Sequence, residues 1–242
     1  MDKKIFERLD STNNKAQELI SNNEIKDICW VQAYDQILGR GMGKNTWFSE
    51  AGMNITGSLV VFPSFLKAEE QFSVSLIASL SICDLLDMYF DEVRIKWPND
   101  ILINGSKICG LLVEHAISGR NISHSIIGIG LNVNQRSFPP DIPGPTSFRQ
   151  ELGMEINLDE LRDLLLDFLE SRIARAEKGN FRMQRKQYLS KLYRYREFAP
   201  YRSGDEWFRA RIIDIDRHGK LILETETGEI SNYGFKEIEF ID

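Results

Sequence analysis

Residues 93–133 constrain the fold more than any other part of the chain. Short apolar runs at 93–97, 101–103, 108–114 and 125–133 are separated by Pro98-Asn99-Asp100, Asn104-Gly105 and Gly119-Arg120-Asn121. Asn-Gly between apolar runs favours a two-residue turn with both residues at positive φ, which joins antiparallel strands. Parallel neighbours need a crossover of a dozen or more residues, and these intervals leave no room for one. The segment therefore reads as consecutive hairpins. Further strands are expected at 5–9, 28–34 and 54–62. Asp10-Ser11-Thr12-Asn13 caps a short helix with Ala16, Leu19 and Ile20 inward. A longer helix spans 69–89, with Phe72, Leu76, Leu80, Cys83 and Leu86 at spacings of four and three. After the Pro-rich loop 139–145, two helices are expected near 157–178 and 180–196. Hairpins beside a few helices predict an α+β fold.

The texture changes near Ala199-Pro200. Residues 203–242 alternate in short runs (WFRARIIDI, KLILETE, EISNY) broken at His218-Gly219 and Thr227-Gly228, which predicts a small β-barrel. The 242 residues are thus divided into a main domain, 1–200, and an appendage, 201–242. Thirty Lys plus Arg against thirty-six Asp plus Glu give a net charge of −6, which counts against a nucleic-acid grip by the whole molecule. The basic stretch at 180–202 reads as a solvated helix face that balances this acidity. Cys29, Cys83 and Cys109 form no CxxC pair, and with His115, His124 and His218 they show no metal-ligand spacing. The N-terminal MDKKIFERLDST has no apolar signal-peptide stretch, and no run is long enough to span a membrane. A cytoplasmic protein is expected. No Ser/His/Asp set and no HExxH stand out, so hydrolytic chemistry has little support.

Three segments carry chemical potential. The loop 39-GRGMGKNTW-47 combines glycines, which let backbone amides approach phosphate, with Arg40 and Lys44. It is no P-loop: Leu38 stands where the first glycine belongs and Asn45 where Ser or Thr belongs. Phosphate binding and a mobile surface loop both remain open. Asp100 and Lys107 flank the Asn104-Gly105 turn, so strand pairing brings them together. They read either as an ordinary cross-strand ion pair or as a lysine aimed at a ligand anion, with Asp100 orienting it or holding magnesium. By default Asn99 satisfies the turn and Cys109 is a core residue, although Lys107 nearby could lower the thiol's pKa. In 128-GIGLNVN-134, Gly128, Gly130, Asn132 and Asn134 share one strand face. That face is polar and hollow where a core would be filled, and it suits a heterocycle. Ser11-Thr12-Asn13 reads as a helix cap whose groups could also hold a small polar ring.

Taken in order, these segments resemble the biotin–protein ligases, also called biotin–[acetyl-CoA-carboxylase] ligases. The likeness rests on Ser11-Thr12-Asn13, 36-QILGRGMGKNTW-47, 96-KWPND-100, 107-KICGLLVE-114, 128-GIGLNV-133 and Pro145-Thr146-Ser147. It covers roughly residues 5–150 and, more weakly, 203–242. The resemblance implies a mixed, largely antiparallel sheet with helices, of the class II aminoacyl-tRNA synthetase-like type, plus a C-terminal SH3-like barrel. It implies activation of biotin by Mg-ATP as biotinyl-5′-AMP, then transfer to a lysine of a biotin carboxyl carrier domain. Lys107 and Arg40 match the catalytic cations. Ser11, Thr12, Asn13, Gln36, Gly39, Arg40, Lys107, Gly110, Leu112 and Gly128 match biotin-binding positions. Arg40, Gly41, Lys44, Trp47, Asn99, Asp100, Lys107 and Asn132 match adenylate-binding positions, with Asp100 also assigned to Mg2+.

One departure bears on retention of the adenylate. The commoner loop reads GRG-x-RG-x-x-W, whereas Gly43-Lys44 reverses that order here and Met42 stands where many members carry arginine. Retention long enough for transfer is expected. Because Ser11-Thr12-Asn13 lies so near residue 1, no winged-helix head and no operator binding are expected. The readings that compete are a lipoate-type ligase, whose arginine and triple-glycine segment is missing, and a binding module that uses 180–202. Oligomeric state, monomer or homodimer, is left open by the sequence.

Overall fold

The computed structural model describes residues 1–43, 45–179 and 181–241. The first half builds β1 (Asp2–Leu9), α1 (Thr12–Ser21), β2 (Cys29–Gln36), β3 (Ile55–Val61), α2 (Phe72–Leu86), β4 (Val93–Lys96), β5 (Asp100–Ile103), β6 (Ser106–Ser118) and β7 (Asn121–Leu131). These strands form one sheet in the order β1-β2-β3-β7-β6-β5-β4. Only β1 and β2 run parallel, because α1 supplies the crossover between them. The remaining neighbours are antiparallel, so the sheet is mixed and largely antiparallel as expected. Asn104 and Gly105 take φ of 49° and 79°, the pair of positive values an Asn-Gly hairpin requires.

The second half adds α3 (Phe148–Leu152), α4 (Leu158–Glu177), α5 (Phe181–Lys191) and β8 (Ala199–Ser203). It ends with β9 (Glu206–Ile215), β10 (Leu221–Thr225), β11 (Ile230–Tyr233) and β12 (Glu239–Phe240). The last five strands form a second, antiparallel sheet in the order β11-β10-β9-β8-β12. Helix α2 is buried nearly all round, not on one face alone, because α4 and α5 cover the side turned away from the sheet. Arg172 of α4 reaches Asp84 of α2 with two hydrogen bonds of 2.6 Å and Gln187 of α5 with one of 2.7 Å, so the three helices are tied by a single guanidinium. Apolar residues from both sheets share one core, which runs from Trp30 and Ile95 through Leu165 to Tyr201 and Ile212.

Three expectations are corrected. The helix expected over 180–196 stops at Lys191, because Arg194 and Arg196 take left-handed φ of 61° and 63°. The segment instead becomes a seam: Tyr193 N–H donates to Ile95 O and Arg196 N–H to Ile212 O, linking it to both sheets. Ser11 occupies the N-cap of α1, but its side chain caps nothing. Burial, not Lys107, governs the Cys109 thiol and pushes its pKa upward. Cys83 is raised in the same way, and burial with the Asp2 charge raises Cys29 to about 11. All three thiols are therefore expected to react negligibly with a thiol reagent at pH 8 and stoichiometrically in denaturant; rapid native labelling would contradict this placement. In the basic stretch, Arg185 and Lys191 pair with Asp214 and Asp87, and Tyr188 lies in the core. Among the described residues, no helix is long and apolar enough to cross a membrane.

Candidate active site

The centre of the main sheet is hollow on one face. Gly128 and Gly130 of β7 lie opposite Leu112 and Gly110 of β6 and opposite Ser58 and Thr56 of β3. Missing side chains here leave a cleft of about 240 Å³. A larger cavity of about 720 Å³ adjoins it. The two share Asn45, Thr46, Trp47, Asp100 and Lys107 as walls.

One end of the cleft is a connected set of polar groups. The Thr12 backbone N–H and hydroxyl donate to Gln36 Oε1 at 2.9 and 3.1 Å. Ser58 Oγ lies 2.7 Å from Thr12 Oγ1 and 2.6 Å from Asn13 Oδ1. Asn13 Nδ2 donates to Glu114 at 2.7 Å and to Leu112 O at 3.3 Å. A side chain at Gly128 would start 2.6 Å from Asn13 Oδ1, so glycine is what lets Asn13 lie over β7. Ser11, Thr12 and Asn13 are thus buried cleft residues at the start of α1, where Ser11 holds the N-cap position without a side-chain cap bond.

The loop 39–47 closes on itself as a small hairpin. Trp47 N–H donates to Gly39 O and Gly41 N–H to Asn45 O, each at 2.8 Å. Those amides are therefore engaged within the loop rather than directed at an anion. Gly39 lies outside the cleft-lining residues, and a side chain there would run into the Trp47 carbonyl. Arg40 faces the cleft with its guanidinium on Glu114 Oε1 at 2.9 Å and Asn14 Oδ1 at 2.8 Å. The hairpin lays Trp47 across the glycine floor, so side chains at Gly110 or Gly130 would meet its indole. Trp47 Nε1 is buried without an acceptor, a donor turned toward the cleft at some energetic cost. Lys44 lies outside the described residues.

At the junction of the two cavities, Lys107 Nζ sits 2.7 Å from Asp100 Oδ1 and 5.6 Å from the Trp47 ring centroid. The contact with Asp100 is coulombic, since Oδ1 accepts no hydrogen bond of good geometry. Its existence depends on a β-bulge. Asp100 pairs with Gly110 and Leu102 with Lys107, so β6 carries one extra residue, Ile108, in this register. In a regular strand Lys107, three residues from Gly110, would point to the opposite face. The bulge returns it to the cleft. The Pro-rich loop holds it there, with Lys107 N–H donating to Gly144 O at 2.7 Å and Thr146 N–H to Lys107 O at 2.9 Å.

Asn99 and Asn132 have backbone duties as well. Asn99 Nδ2 donates to Leu111 O at 2.7 Å, and Asn99 still lines the cleft. Asn132 Nδ2 donates to Thr146 O at 2.9 Å, while its Oδ1 is a buried acceptor without a partner on the wall of the larger cavity. Asn134, the next residue of that face, exchanges two hydrogen bonds with the Ile156 backbone and lies outside both cavities. Sequence reasoning missed Thr56 and Ser58, although two polar residues two apart in an apolar strand were a usable signal. It also missed Glu114 as the partner of Arg40, and Phe235 of the turn between β11 and β12, whose part in the cleft wall no local pattern indicates.

A hollow mixed sheet of this order defines a class of fold shared with solved ligases. The biotin protein ligase from Aquifex aeolicus in complex with biotin and ATP superposes with a TM-score of 0.82 at 22% identity, covering 99% of this chain and 98% of that one. At the level of sequence, the model of the biotin/lipoate A/B protein ligase family matches residues 5–132, and the chain belongs to that family. It is 31% identical over 228 residues to the biotin–[acetyl-CoA-carboxylase] ligase of Paracoccus denitrificans, covering 91% of this chain and 93% of the relative. It is 30% identical to the bifunctional ligase/repressor BirA of Bacillus subtilis, covering 91% of this chain and 68% of the relative.

Proposed function

We propose that this protein is an ATP-dependent biotin–protein ligase that forms biotinyl-5′-AMP and then biotinylates a lysine of a biotin carboxyl carrier domain. The observation that carries this reading is Lys107 at the seam of two cavities, above a floor of glycines. In the first step a biotin carboxylate oxygen attacks the α-phosphorus of ATP; a P–O bond forms, the bond to the β-phosphate oxygen breaks, and pyrophosphate leaves. Carboxylate and triphosphate repel, so a cation between them lowers the barrier, and a preorganised one does so without reorganisation. In the second step the carrier's lysine, as the free amine, attacks the acyl carbon; a C–N bond forms, the acyl C–O bond to the phosphate breaks, AMP departs with that electron pair, and the amine's surplus proton passes to solvent.

The rest of the site has a role in the same scheme. The polar end formed by Ser11, Thr12, Asn13, Gln36 and Ser58 suits the ureido ring, and Arg40 holds the carboxylate side. Trp47 covers the adenylate, and Asn132 Oδ1 offers an acceptor for the adenine amine. Among the described residues no three His, Cys, Asp or Glu groups form a metal cluster. Magnesium is commonly held by one or two carboxylates plus substrate phosphates, and the Asp100 carboxylate, with a buried oxygen lacking a hydrogen bond, fits that use. Bound there, Mg2+ would neutralise phosphate charge. We assign catalysis to residues 1–200 and a small β-barrel unit to 201–242. The buried, unpaired thiols suit a reducing compartment, in accord with a cytoplasmic enzyme.

The deciding experiment incubates the protein with ATP, Mg2+, biotin and a biotin carboxyl carrier domain and weighs the carrier. A mass gain of one biotinyl group, lost when biotin is omitted, is the expected result. Pyrophosphate release that depends on lipoate and not on biotin would transfer the assignment to the lipoate branch of the family.

A further inference from the structure

The cleft has no surplus positive charge among its described residues. Arg40 is matched by Glu114 and Lys107 by Asp100. Lys96, on the wall of the larger cavity, is not free. The chain as a whole carries −6, so an anionic acyl-adenylate would meet described cations that are already paired, in a negative field.

The second sheet brings a further cation to this place. Between β11 and β12 the chain makes a turn over 234–237, closed by Gly234 N–H donating to Glu237 Oε2 at 2.6 Å and Glu237 N–H donating to Gly234 O at 3.1 Å. Lys236 within it takes a left-handed φ of 70°, a conformation uncommon outside glycine and costly to hold. Phe235 lines the cleft and also the apolar cavity behind it, beside Met42 and Trp97. Lys236 forms no ion pair among the described residues and stands 5.6 Å from the Phe235 ring centroid. Its Nζ lies over Gly43 of the loop 39–47, where a Cβ would come within 2.7 Å of it. Gly43, at φ 72°, thus leaves open the space that the ammonium occupies.

We propose that the turn 234–237 is a clasp on the loop 39–47, in which Lys236 supplies the unpaired cation and Phe235 the apolar cover that retain the anionic acyl-adenylate. The proposal rests on the ligase reading above and adds a retention device contributed by the second sheet. It also gives the Met42-Gly43 departure a purpose. The arginine that the commoner loop carries at position 43 is missing here, and Lys236 brings a cation to that position from the opposite wall, through the gap that glycine leaves.

The test is a chase on the full-length protein. Labelled biotinyl-5′-AMP is formed in place from biotin and Mg-ATP, unlabelled biotinyl-5′-AMP is added in excess, and release is followed. Lys236→Met, which keeps length and removes charge, should release adenylate about tenfold faster, and Lys236→Arg should restore slow release. The gap between wild type and Lys236→Met should narrow as salt is raised. Phe235→Ala should also release faster, with little salt dependence. Release from Lys236→Met within twofold of wild type, or equally fast release from Lys236→Arg, would overturn the clasp while leaving the ligase assignment standing. If wild type forms no adenylate from biotin, the ligase reading fails first and the clasp falls with it.

Discussion

Replacing Lys107 with alanine should reduce biotin-dependent ATP–pyrophosphate exchange by roughly 10³-fold, about 4 kcal/mol of transition-state stabilisation. The side chain stands at the only seam where the described walls of both cavities meet a cation, 2.7 Å from Asp100. Its loss removes the group that offsets repulsion between carboxylate and phosphate as the P–O bond forms. Stability should change little. Both partners are partly exposed, at 30% and 26% for their side chains, and such pairs contribute about 1 kcal/mol or less. A thermal transition within a few degrees of wild type, beside lost exchange, is the expected combination. Exchange within tenfold of wild type would remove Lys107 from the reaction.

The second large effect is expected at Gly130. Valine there places methyl groups where the Trp47 indole lies, on the hollow face between β3 and β6. Because the added atoms enter the cleft and not the core beneath, the sheet should survive while Trp47 is driven off the floor. Losing that aromatic cover and narrowing the cleft should together cost about 2–3 kcal/mol of adenylate affinity, roughly 30- to 150-fold. Calorimetry with a non-hydrolysable biotinyl-adenylate analogue would measure it. Gly130→Ala should fall between valine and wild type. Affinities for Gly130→Val equal to wild type would mean that Trp47 has no part in binding.

Much of this site is legible in the amino-acid sequence. The alternation at Gly128 and Gly130 indicated a hollow strand face, and both glycines line the cleft. Ser11, Thr12 and Asn13 were readable as polar groups at a helix start, but their burial was not, because it arises from packing against β3 and β6 across more than forty residues of sequence. Asn134 shows the limit of the period-two argument. The strand ends at Leu131, and beyond that point alternation no longer dictates direction, so the amide serves Ile156 instead. Helix α5 ended early for a similar reason: local spacing favoured continuation, while hydrogen bonds to Ile95 and Ile212 favoured a seam between the sheets.

Local chemistry alone determined that residues 93–133 fold as hairpins, since Asn104-Gly105 admits the positive φ pair that a tight turn needs and an interval of two residues admits no crossover. It likewise determined which strand is hollow, because a glycine has no side chain whatever surrounds it. The direction of Lys107 was decided only in three dimensions. Counted along a regular strand it belongs to the face opposite Gly110, and the bulge at Ile108, with the 144–146 segment hydrogen-bonded to Lys107, turns it into the cleft. The arrival of Phe235 and Lys236 opposite the loop 39–47 was decided there too, because no rule of spacing reaches across nearly two hundred residues to say which surfaces will meet.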